Sequence, residues 1–125
     1  MKIALTNVYV DSPAKAFTFY TEVLGFIERM YLPEAQLAIV AAADAPDGTG
    51  LLLEPNDNPI ARTYQQAIYQ AGFPAIVFGT ADIQQEYDRL STHGVVFRKP
   101  PTATDYGIET VFEDTCGNLI QLVQA

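Results

Sequence analysis

At 125 residues and 49% hydrophobic content, the chain can bury one ordinary core and is too short for two independent domains, so residues 1–125 are expected to form a single domain. Fifteen acidic against seven basic residues give a net charge of −8, which repels nucleic acid and anionic membranes and favours a neutral or cationic partner. No run of about 18 apolar residues exists to span a bilayer, and Met1-Lys2-Ile3-Ala4-Leu5 enters strand pattern without a signal-peptide layout, so a cytoplasmic location is expected.

Residues Ile3 to Val10 alternate, with Ile3, Leu5, Asn7 and Tyr9 on one face of a first strand and Val8 and Val10 on the other. Ser12 is placed to cap a helix and Pro13 to occupy its first position, where a missing N–H costs nothing. Ala16, Phe17, Tyr20 and Leu24 recur at helical spacing, and Gly25 ends the helix. Phe26 to Tyr31, Gln36 to Ala43 and Leu51 to Glu54 read as three further strands, which makes a βαβββ module over 1–56.

A connector over 57–73 follows, with a short helix from Ala61 to Gln70 that Gly72 stops. A strand from Pro74 to about Thr80 leads to a second capped helix, in which Asp82 is the N-cap, Ile83, Tyr87 and Leu90 form the buried stripe and Gly94 is the stop. Val95 to Phe97 form the next strand, which Pro100-Pro101 is expected to break. Two final strands flank the turn Asp114-Thr115-Cys116-Gly117, where Gly117 can take positive φ, and close a second βαβββ module over 74–125. Cys116 cannot form an internal disulfide and has no Lys, Arg or His beside it in sequence to activate it.

The two halves superpose on one another. Phe17 falls on Tyr87, Tyr20 on Leu90 and Gly48 on Gly117, a repeat of about 70 residues. The fold class expected is therefore α+β, with two βαβββ modules in one domain forming a cleft-bearing curved sheet and a short linker helix between modules.

Four segments carry a resemblance to a known family: Val8-Tyr9-Val10-Asp11, the run Phe19 to Phe26, Leu51-Leu52-Leu53-Glu54-Pro55-Asn56, and the run Asp114 to Ile120. In this order they resemble the vicinal oxygen chelate superfamily, which includes glyoxalase I, the extradiol dioxygenases, and the fosfomycin- and bleomycin-resistance proteins. The resemblance spans nearly the whole chain and implies the fold more strongly than any one activity.

In metal-using members the ligands lie on the first and last strand of each module. Carried over residue by residue, the first ligand position holds Leu5 and the second Ala75, neither of which can bind a metal. The third falls on Leu52, or on Gly50 or Glu54 after a two-residue shift, and the fourth on Gln121, an amide in place of a carboxylate. The expected cofactor is none, although a divalent metal on a displaced set stays open. The apolar face of Leu5, Tyr9, Leu52, Ala75 and Val77 suits a small-molecule cleft, with Asn7 and Gln121 as polar contacts and Tyr31 and Tyr106 as lids or stacking surfaces.

Glu54 and Glu109 are strand carboxylates that could act as an acid/base pair or face solvent. His93, beside Gly94 at a helix end, suits capping rather than metal binding, and Arg62, Arg98 and Lys99 read as scattered surface charges. The leading expectation is a metal-free small-molecule-binding protein of the glyoxalase/bleomycin-resistance type that sequesters a drug or metabolite, neutral or cationic. Catalysis is not expected, because Leu5, Ala75 and Gln121 stand at the ligand positions. Two other readings stay open: a lyase, isomerase or dioxygenase using Glu54, Glu109 and Gln121, and a non-catalytic structural or regulatory dimer. The resemblance also implies a homodimer.

Overall fold

The computed structural model describes residues 1–125 as eight strands and three α-helices, with one four-stranded mixed sheet in each of two units, Met1–Tyr64 and Gln65–Ala125. In the first unit, β1 (Leu5–Val10) is followed by α1 (Pro13–Thr18), β2 (Ile27–Leu32), β3 (Leu37–Ala41) and β4 (Gly50–Pro55). The sheet order is β1-β4-β3-β2, with β1 parallel to β4 and the other pairs antiparallel.

Register decides which side chains meet. Val8 pairs with Leu53 and Val40 with Leu51, so these residues share a face with Val10 and Ala38, and all six are buried together with Ala16 and Tyr20 of the helical segment. Each such valine or leucine side chain contributes roughly 1.5–3 kcal/mol on burial. The core therefore outweighs exposed ion pairs such as Lys15–Asp11, whose kind is worth at most about 1 kcal/mol.

The first helix starts as expected, because the Ser12 hydroxyl accepts the Lys15 N–H at 3.3 Å and Pro13 opens the first turn. Its last part is not α-helical. Residues Phe19–Val23 widen into a π-helical turn, closed by the Leu24 N–H donating to the Phe19 carbonyl at 3.0 Å before Gly25 takes φ +94°.

The unit boundary falls within α2 (Pro59–Gln70). This helix begins two residues earlier than expected, because the Asn58 side chain accepts the Ile60 N–H at 2.8 Å and Pro59 sits at the first helical position rather than in the connector. The second unit then has β5 (Ile76–Gly79), α3 (Ile83–Thr92), β6 (Phe97–Thr104), β7 (Gly107–Glu113) and β8 (Leu119–Gln124), in sheet order β5-β8-β7-β6. The Asp82 carboxylate caps α3 by accepting the Gln85 N–H at 3.0 Å. On the helix-packed face Phe97 lies 5.5 Å from Phe112 and 4.5 Å from Tyr87 between ring centroids, above the buried Ile120, Leu122 and Thr110.

One strand departs from expectation. β6 runs through Pro100 and Pro101 instead of stopping at them, because it is an edge strand whose outer side needs no N–H donors. Two register shifts, between Phe97 and Lys99 and between Lys99 and Thr102, absorb the missing ladder bonds.

The turn between β7 and β8 is held from inside. Asp114 is fully buried; its Oδ1 accepts the N–H groups of Cys116 (2.7 Å) and Asn118 (3.0 Å), and its Oδ2 accepts from Asn118 Nδ2 at 2.8 Å. Gln65 of α2 donates through Nε2 to the Cys116 carbonyl and to Asn118 Oδ1, both at 3.2 Å. Cys116 is buried in this turn. Gly117 has φ +102°, and a Cβ there would lie 2.6 Å from Gln65 Nε2. Gly117→Ala is therefore expected to lower stability by about 2 kcal/mol, through positive-φ strain and displacement of the Gln65 amide, read as a lower urea midpoint with unchanged slope.

Candidate functional site

The face of each sheet turned away from its own helix is where polar and apolar side chains mix. In the first unit Leu5 pairs with Gly50, Asn7 with Leu52 and Tyr9 with Glu54, and Ile39 continues the row beside Leu52. Residues paired in register point to one side, so Leu5, Asn7, Tyr9, Leu52 and Glu54 form one surface. Gly50 leaves space for its neighbours there: a Cβ would lie 3.0 Å from Leu5 Cδ1 and 3.1 Å from Ile39 Cγ2. Asn7 Nδ2 donates to Glu54 Oε2 at 2.8 Å, a diagonal contact between adjacent strands.

A cavity of about 420 Å³ lies at the end of this surface, under the first turns of α2. Tyr9 and Tyr64 supply its aromatic walls, Glu54 and Asn58 its polar groups, and Pro55, Ile60 and Ala61 the rest of its lining. Its size falls within the usual range for small-molecule sites.

In the second unit Val77 pairs with Gln121, Gln121 with Val111, and Glu109 with Val123, so these residues share the corresponding face. Lys99 of β6 pairs with Val111. Three polar side chains from adjacent strands thus surround Val111 and join. Lys99 Nζ donates to Glu109 Oε1 at 2.6 Å, and Gln121 Nε2 donates to Glu109 Oε2 at 2.7 Å. The Lys99 hydrogen bond holds the Glu109 carboxyl below the usual carboxylate range against partial desolvation, and the charge of Lys99 and the Gln121 hydrogen bond act in the same direction. Ala75 precedes β5, with its N–H donating to the Leu119 carbonyl at 2.8 Å.

The structure sets two of the expected site residues apart. Tyr31 pairs with Ala38 on the helix-packed face and stacks on Phe17, with ring centroids 4.0 Å apart and planes 7° from parallel. The irregularity between Glu28 and Met30 inserts one residue into β2, which places Met30 rather than Tyr31 beside Ile39 on the other face. Tyr106 projects from the β6–β7 turn, 94% exposed, outside the Glu109–Gln121 cluster.

The other candidates have structural partners. His93 caps α3, with Nδ1 2.9 Å from the Arg89 carbonyl. Arg98 pairs with Glu113 at 2.6 Å and donates to the Tyr69 hydroxyl at 3.1 Å, while that hydroxyl donates to Glu113 at 2.7 Å. The hydrogen bond to Glu113 raises the Tyr69 pKa above its ordinary value. Lys99 is thus a partner of Glu109 rather than a scattered surface charge, a pairing that strand spacing across two bulges concealed.

The family described as Glyoxalase/Bleomycin resistance protein/Dioxygenase superfamily matches residues 2–122. The chain belongs to that superfamily. Among its relatives is the uncharacterised Bacillus subtilis protein YurT, 48% identical over 126 residues that cover 99% of each chain. Among solved structures it is similar to UcmS2, at TM-score 0.81 and 26% identity, covering 98% of this chain and 97% of that one. It is also similar to TnmS3, an antibiotic binding protein from Streptomyces sp. CB03234, at TM-score 0.75 and 26% identity, covering 99% and 95%.

A divalent metal, used by some members of the superfamily, would find few donors at the positions carried over for its ligands. Leu5, Leu52 and Ala75 have no donor atoms in their side chains, Gln121 turns its amide to Glu109, and no three His, Cys, Asp or Glu side chains are grouped to share an ion. The ammonium group of Lys99 already lies 2.6 Å from Glu109 Oε1.

The Glu109 cluster is testable by titration. Because the folded-state pKa of Glu109 is lowered, its stabilising effect is present above the ordinary carboxylate pKa and is lost as pH falls through the lowered folded value. In a carbon-detected NMR titration, Lys99→Met is expected to move the Glu109 carboxyl upward, and Gln121→Leu to move it upward by less.

Proposed function

We propose that this protein binds a small molecule, neutral or cationic, and holds it without a metal and without transforming it. The observation that carries this reading is the composition of the two sheet faces turned from the helices. Leu5, Leu52, Ala75 and Gln121, the side chains carried over to ligand positions without a register shift, are apolar or amide, and a cavity of about 420 Å³ adjoins the face of the first sheet. An apolar surface with a few fixed polar groups is the usual make-up of a small-molecule site. Asn7 with Glu54, and Gln121 with Glu109, would be those groups, each orientated by a hydrogen bond of 2.7–2.8 Å. The similarity to TnmS3, an antibiotic binding protein, supports the same class of function.

A lyase, isomerase or dioxygenase built on Glu54, Glu109 and Gln121 would have to break these hydrogen bonds and expel Lys99 before a metal could enter. We further propose that the protein works as a cytoplasmic homodimer, in which a second copy covers part of the exposed apolar surface at Leu5, Met30 and Leu32, each between 44% and 47% exposed. None of the three α-helices is long and apolar enough to cross a membrane.

Metal uptake separates the binding protein from the enzyme. After incubation with Zn²⁺, Ni²⁺, Mn²⁺ or Fe²⁺ and desalting, elemental analysis is expected to find well under one ion per chain. One ion per chain, lost on Glu54→Ala or Gln121→Leu substitution, would overturn the reading in favour of a displaced metal centre.

A further inference from the structure

The two carboxylates on these faces differ in one respect that bears on the ligand. Glu109 has a lysine ammonium 2.6 Å away, so its charge is balanced within the protein. Glu54 has only the neutral Asn7 amide, which engages Oε2 at 2.8 Å and leaves Oε1 and the full negative charge. Glu54 is also the one charged residue that lines the 420 Å³ cavity.

The rest of the lining matches that charge. Tyr9 from β1 and Tyr64 from α2 are among the residues that line the cavity, and the faces of aromatic rings attract cations. Most of the N–H groups at the beginning of α2, which could favour an anion, are absent or taken: Pro59 has none, Asn58 Oδ1 accepts the Ile60 N–H at 2.8 Å, and the Asn58 carbonyl accepts the Arg62 N–H at 3.0 Å. Net charge −8 adds a long-range bias of the same sign.

We propose that this cavity is a recognition site for an organic cation, a protonated amine or quaternary ammonium group, held by the Glu54 carboxylate and flanked by the rings of Tyr9 and Tyr64. The proposal rests on the small-molecule-binding reading and deepens it by assigning the ligand's charged group and its place. Asn7 is a positioning residue: it fixes the Glu54 carboxylate without cancelling its charge. Ile60 and Pro55 supply the apolar contact that a methylated or alkyl ammonium group needs and that a hydrated metal ion does not.

The test is an NMR titration of the full-length isotope-labelled protein with choline and, separately, with its neutral carbon isostere 3,3-dimethyl-1-butanol. Choline is expected to give saturable amide shifts confined to Tyr9, Glu54, Ile60, Ala61 and Tyr64, at an affinity about tenfold above that of the neutral isostere. Glu54→Gln, which keeps an acceptor for Asn7, should lose that preference with an otherwise unchanged spectrum. Tyr64→Leu, at a position 55% exposed and so outside the core, should weaken choline and leave the isostere nearly unaffected. Equal binding of the two probes in this cavity would overturn the cation assignment and leave small-molecule binding standing. Failure of choline, the isostere and a panel of neutral and anionic fragments to give any saturable shift would overturn both.

Discussion

The architecture depends on a pairing between strands far apart in sequence: β1 lies parallel to β4, and β5 lies parallel to β8. Each parallel pair needs a crossover, and the intervening helix supplies it by packing on one face of the sheet. Once Val8 stands opposite Leu53 and Ile76 opposite Ile120, the period-two alternation of a strand sends Asn7, Leu52, Val77 and Gln121 to the other face. A slip of one residue in either pair would bury Glu54 or Gln121 against a helix. Core packing and site composition are thus two consequences of one register.

The turn before β8 sets that register in the second unit. Asp114 uses both carboxylate oxygens to close its own loop, and Gln65 ties the loop to α2, so β8 leaves the turn at a fixed residue. This explains why the Asp-x-x-Gly-Asn segment signals the fold while saying little about chemistry. Its polar groups are spent on the turn and none faces the sheet surface where Gln121 lies.

Much of this was legible in the residues. Ser12 and Asp82 mark helix starts because a side-chain oxygen can satisfy an orphan N–H, and both do so here. Glycine stops and strand alternation located the modules. What escaped depended on neighbours distant in sequence. Pro100 and Pro101 break a strand only if its outer edge must pair, and β6 is at the edge. Tyr31 suits a ligand surface by its type and place in the strand, but one inserted residue in β2 turns it to the helix-packed face, where it stacks on Phe17. The links of Asn7 to Glu54 and of Lys99 to Glu109 are diagonal contacts, which require the register and not merely the strands.

The account proposed for these sheet faces is binding in place of catalysis, on the strength of apolar side chains at Leu5, Leu52 and Ala75, carboxylates held by hydrogen bonds from Asn7, Lys99 and Gln121, and a cavity whose one charged lining residue is Glu54. Its central claim is most directly tested by native mass spectrometry of the purified protein, followed by release and mass analysis of whatever is retained. The account predicts a protein that carries an organic small molecule without metal and releases it with its mass unchanged after prolonged incubation. A protein that carries one divalent ion per chain, or releases a chemically altered compound, would contradict it.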